Sequence, residues 1–227
     1  MGYFRGGAYL MAAVTQQALL AIGFTPITRT FKTSGASASD LTTYTFSAVI
    51  ATATRSRKCV AVFTARQGVA LSLSSCTLAG VTATCTTMVT GTTCVAIAVV
   101  DLPAGSSGDA VPTFSAGAAR ASYAIYDMFD APSATPTATG SDTADAFTYS
   151  LTCTAGSVVF AAGGDAQSST SWTWTNLTED ADSVYGADAQ SYSHASAEFA
   201  AAQSALTLTG DIATSAAGAG GFAVFSP

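Results

Sequence analysis

His194 is the only imidazole in this 227-residue chain, and that limits the proton chemistry open to it. It lies in Tyr192-Ser193-His194-Ala195-Ser196. A nucleophilic serine or cysteine needs a positioned base beside it. No G-x-S-x-G elbow accompanies the histidine, and in a serine-rich strand it reads as a surface or packed residue. Glu179 and Glu198, with a scatter of aspartates, are the material for paired-carboxylate chemistry. The run Glu179-Asp180-Ala181-Asp182 reads as a solvated acidic loop, with a sugar- or calcium-binding edge as the alternative. Calcium takes about six to eight oxygen ligands in a recognisable loop rhythm, and the run lacks that rhythm. No Walker A loop or dinucleotide fingerprint is present. The expectation is therefore no catalytic residue, no metal site and no cofactor.

The aromatic and basic residues offer contact rather than catalysis. Trp172 and Trp174 stand two apart, so on a strand they share one face. They form either a core pair or a stacking platform, and with Tyr185 and Tyr192 they are the candidate glycan or partner contacts. Arg55, Arg57 and Lys58 make the only basic cluster and are candidates for docking on an acidic neighbour. Five cysteines (Cys59, Cys76, Cys85, Cys94, Cys153) are spaced 17, 9, 9 and 59 apart, unlike zinc ligands, and all sit in strand-like runs. Reduced core thiols are one reading, and one or two disulfides the other.

Charge is scarce and segregated. Lys, Arg, Asp and Glu make up 10% of the chain against 49% hydrophobic residues, where about a quarter is usual. So little charge suits a subunit whose surface is partly covered by neighbours. Eight basic against three acidic residues give the first 120 positions +5, and eleven acidic residues alone give the remainder −11. With a net charge of −6, nucleic acid is not an expected partner.

These residues must be positioned by strands. Phe147, Tyr149, Leu151 and Cys153 alternate with Thr148, Ser150 and Thr152, a half-buried strand pattern. Tyr44–Ile50, Lys58–Ala65, Ala70–Thr77, Val81–Val89, Cys94–Val100, Ala121–Phe129, Ser157–Ala161, Ser171–Thr175, Ala205–Thr209 and Gly221–Phe225 read as strands too. Ala195–Ala201 reads as strand or helix. Residues 131–145, rich in Pro, Ser and Thr, read as a long loop. About a dozen short strands with long crossings predict an all-β, jelly-roll-like antiparallel β-sandwich over residues 25–227. No repeat of fixed period is visible. Residues 1–24 read as a short N-terminal arm or helix: Ala8 to Phe24 is apolar but broken by Thr15, Gln16 and Gln17. A neighbouring subunit, the chain's own domain, or a secretory signal are the three readings of it.

The runs Phe147–Cys153, Ala155–Ala162 and Ser171–Glu179, with the Ala/Ser-rich stretch near Ala195 and the closing Leu206–Thr209, resemble uncharacterised β-sandwich virion proteins of tailed bacteriophages and gene transfer agents. The resemblance covers roughly residues 26–227 and brings no catalytic or binding residue with it. It implies a non-enzymatic virion structural protein, assembled in the host cytoplasm and displayed as a tail-tip or fibre component or a capsid decoration. Its partners would be capsid or tail and baseplate proteins and further copies of itself, without membrane insertion. The alternative is a carbohydrate-binding module or adhesin-like domain that attaches to a host-surface glycan.

Overall fold

The computed structural model describes residues 25–144, 146–166, 172–185, 190–212 and 218–227. The expected arm or helix over residues 1–24 lies outside them. Among the described residues there are eighteen strands and no helix, and so none long and apolar enough to cross a membrane.

The strands form four antiparallel sheets. The first inner sheet is ordered β1 (Thr28–Ser37), β10 (Arg120–Phe129), β4 (Arg57–Leu71), β8 (Gly91–Leu102), β7 (Thr84–Val89). The first outer sheet runs β2 (Leu41–Thr43), β9 (Gly108–Ala118), β5 (Leu73–Leu78), β6 (Val81–Thr82), with β3 (Phe46–Ile50) also on β9. The second inner sheet is β11 (Ala138–Asp142), β18 (Ala219–Phe225), β13 (Ser157–Asp165), β16 (Gln190–Phe199), β15 (Thr178–Tyr185). The second outer sheet is β12 (Ala146–Cys153), β17 (Gln203–Ile212), β14 (Trp172–Thr175). The region expected to form a sandwich is thus two packed pairs of sheets, each consistent with a β-sandwich.

The two pairs repeat one plan. Replacing β1, β10, β4, β8, β7 by β11, β18, β13, β16, β15 converts one inner sheet into the other, and β2, β9, β5 likewise become β12, β17, β14. The inner sheets then pack on each other reciprocally. Strand β4 meets its counterpart β13, while β1 meets β15 and, equivalently, β7 meets β11. The layers therefore run outer, inner, inner, outer, with three cores between them.

Alternation explains the three cores. Along β4, Cys59, Ala61, Phe63 and Ala65 face the first outer sheet, and Val60 and Val62 face the second inner sheet. Along β13, Val158, Phe160 and Ala162 face the first pair, and Val159 and Ala161 face the second outer sheet. A strand buried on both faces reads as a continuous apolar run, which Lys58–Ala65 and Cys94–Val100 do. The small Ala61, Ala96 and Ala98 leave room for rings across the first core, where Phe46 and Tyr123 stand 4.4 Å apart between centroids. In the third core Phe147 lies over Gly163, Gly210 and Gly220, each on a different strand, where any Cβ would collide with its ring.

Two expectations about loops fail. Strand β11 lies within the 131–145 loop, held by β18 from Ala138↔Val224 to Asp142↔Gly220. The acidic run Glu179–Asp182 is part of strand β15 rather than a solvated loop. The segment around Ala195 is strand, paired on both sides by β13 and β15.

Candidate functional site at the joint between the sheet pairs

The polar residues that could do chemistry gather where the inner sheets meet. Strand β16 pairs Ala162↔His194, so its even-numbered side chains look toward the first inner sheet with those of β13. His194 is 2% exposed. Its Nε2 lies 3.0 Å from Ser122 Oγ on β10, and Ser122 Oγ lies 2.5 Å from Thr64 Oγ1 on β4. His194 Nδ1 is buried and has no hydrogen-bond partner among the described residues. Burial pushes the imidazole from its ordinary 6.5 to about 3, so it is neutral at pH 7. A group this hard to protonate is poorly suited to general-base work near neutrality.

A second cluster lies beside it. The β15–β16 register shifts between Glu179 and Ala181, a bulge that places Asp180 at the joint. Tyr126 OH of β10 donates to Asp180 Oδ2 at 2.9 Å, Ser196 Oγ donates to the same oxygen, and Arg29 Nη1 stands 3.8 Å from Oδ1. Arg29 also donates from Nη2 to the Ser196 carbonyl at 2.9 Å and from its backbone N–H to Glu198 Oε1 at 2.7 Å. Burial raises the Asp180 pKa, against the pull of Ser196, Arg29 and Tyr126. The same burial, reinforced by the Asp180 charge, drives the Tyr126 hydroxyl well above its ordinary value. Part of the charge segregation thus ends here, with a cation of the first half against carboxylates of the second.

The aromatic candidates are mostly interior. Trp172 is 6% exposed in the core between the second pair of sheets, stacked at 6.3 Å on Trp174 and 5.7 Å from Phe147. Trp174 is half-buried and donates from Nε1 to Ser193 Oγ at 2.8 Å. Tyr192 is fully buried, its OH donating to Gln190 Oε1 at 2.7 Å. Trp172 and Tyr192 therefore offer no open face to a sugar ring. Tyr185 closes β15, and the expectation for its ring lies outside what is described.

The basic cluster is likewise dispersed by pairing. Arg57 is 4% exposed, its Nε in contact with Asp127 Oδ1 and its Nη2 donating to the Ala51 carbonyl at 2.7 Å. Lys58 Nζ is 2.6 Å from Asp101 Oδ1. Arg55 is exposed, 3.8 Å from Asp130 and 3.8 Å above the Phe129 ring. Lys58, Asp101 and Asp130 line one open depression of about 350 Å³ with charges of both signs. Of the three, Arg55 is the most exposed, and it too is paired. All five cysteines are free, and burial pushes the Cys59 and Cys94 thiols up to about 12. Among the described residues, no three His, Cys, Asp or Glu side chains are grouped to hold a metal ion.

Sequence reasoning missed the joint. Its members come from β1, β4, β10, β15 and β16, and of them only His194, Glu198 and Asp180, the last within an acidic run, drew attention as residue types. A period-two reading that placed His194 and Ser196 on one face was the available signal. No family model matches the chain, and neither any curated protein nor any solved structure matches it.

Proposed function

We propose that this chain is a non-enzymatic structural protein of a tailed-phage or phage-like particle, displayed on the particle surface as a tail-tip or fibre component or as a capsid decoration. Each sheet pair is a jelly-roll-like unit in this reading: of its eight principal strands, the first, eighth, third and sixth adjoin in one sheet, and the second, seventh and fourth adjoin in the other. The observation that carries the reading is where the reactive groups are spent. The single imidazole and a buried carboxylate each hold one inner sheet to the other, and a buried guanidinium ties two strands of one sheet, leaving outer strands faced by Thr148, Ser150, Thr173 and Thr175. Such an object serves by shape and contact area. Capsid, tail or baseplate proteins and further copies of itself are its partners, and the virion its location.

The test is the mass in solution of the full chain against a chain starting at Thr25. The reading expects an oligomer that becomes a folded monomer on truncation, with residues 1–24 as the attachment segment. Folded monomers in both cases would remove self-assembly through that segment.

A further inference from the structure

The contacts between the inner sheets are reciprocal in position but unlike in chemistry. On one side β1 and β10 meet β15 and β16 through Arg29, Tyr126, Ser122, Asp180, His194 and Ser196. On the other, β7 and β8 meet β18 through Met88, Val89, Val95, Ala219 and Ala223. One side is held by directed polar bonds and the other, among the described residues, by apolar contact.

We propose that acid loosens this joint from its polar side: protonation of His194 lifts β15 and β16 from β1 and β10, while the apolar side stays closed as the hinge. The geometry leaves an imidazolium nowhere to put its charge. Nδ1 has no acceptor among the described residues, and Nε2 meets only a hydroxyl. Among the described residues, the charged groups in the same gap are Arg66, on the face of β4 that carries Thr64, with Arg29 on β1, Asp180 on β15 and Glu198 further along β16. Tyr126 and Tyr192 are the phenols there. Two of these are cations, and both carboxylates are already engaged by Arg29. A buried, unpaired imidazolium is costly, and hydration by parting the strands is the relief available.

The sign follows from linkage. His194 takes its proton near 6.5 when hydrated and near 3 when closed in, so acidification below about 6.5 favours the parted state. The limiting slope is about tenfold per pH unit. Asp180 acts in the opposite sense: its pKa is raised in the closed joint, so the closed form binds that proton more readily. The loosening therefore starts below about 6.5 and flattens in the carboxylate range.

Hydrogen exchange of the full chain at pH 7 and pH 5, corrected for the intrinsic rate, reads this strand by strand. The expected result is a rise in opening at β10, β15 and β16 that approaches about tenfold per pH unit, with β7 and β18 unchanged, and its absence in His194→Gln. Equal loss of protection at β7 and β18, or the same pH dependence in His194→Gln, overturns the proposal. Should the variant fail to fold, nitrogen NMR of wild type decides, because the chain has one imidazole. Titration near 6.5 with β16 still protected overturns the proposal, as does an imidazole that stays neutral at pH 5 with β16 fully protected. Imidazole protonation in step with β16 exchange supports it.

Discussion

The two sheet pairs follow one strand order yet fill their cores in different ways. The first spreads its aromatic rings among cysteines, alanines and leucines, with Tyr44, Phe46, Phe63, Phe114 and Tyr123 distributed across both sheets. In the second, Phe147 contacts Trp172, Trp174 and Phe222 much as Phe46 contacts Tyr44, Phe63 and Tyr123, but it also rests on three glycines. Four of the five cysteines lie in the first pair, and both tryptophans in the second. One backbone plan accepts either solution, because what a core requires is filled volume at native density rather than particular residues. The difference lies in tolerance: distributed packing can relax around a loss, and a ring keyed into glycines cannot.

Substitutions in the two cores test that contrast. Phe147→Ala should cost about 3–5 kcal/mol in urea unfolding, the range for a large buried aromatic. Phe46→Ala, 8% exposed and packed on other rings with no glycine beneath it among the described residues, should fall at or below the low end. Equal losses would erase the distinction between the two cores. Gly210→Ala places a methyl where the Phe147 and Trp174 rings already sit, and should cost about 1–3 kcal/mol, visible as a lowered midpoint. A neutral result would mean that Phe147 has space to move. The smallest effect is chemical rather than energetic. Cys85 is the only half-buried thiol, so it should alkylate first in the native protein, slowly because burial raises its pKa too. Mass spectrometry after brief iodoacetamide treatment would show it, and earlier labelling of Cys59, Cys76 or Cys94 would contradict the sealed first core.

The same contrast governs what could be read from the residues. Strand β12 was legible because one face is wet, so Phe147, Tyr149, Leu151 and Cys153 alternate cleanly with hydroxyls. Strands β4 and β8 were legible as apolar runs. Strand β15 was not, because its joint-facing residue is Asp180, and a buried carboxylate looks like a solvated one until its partners are known. Arg57 failed for the same reason: Asp127, which buries it, lies 70 positions away. Strand β11 hid in a Pro- and Thr-rich stretch because its pairing with β18 uses backbone groups that side chains do not announce. The shared plan of the two halves left no periodic trace, since strand order is kept by pairing while core residues diverge.

The segment from Asp130 to Thr137, between β10 and β11, has a consequence of its own. It joins two bodies that meet face to face, so the joint forms within one molecule. A short linker sets an effective concentration in the millimolar range. Faces that as separate molecules would associate only weakly are thereby kept together at any dilution. Parting of the joint is then independent of protein concentration, and reclosure needs no search for a partner.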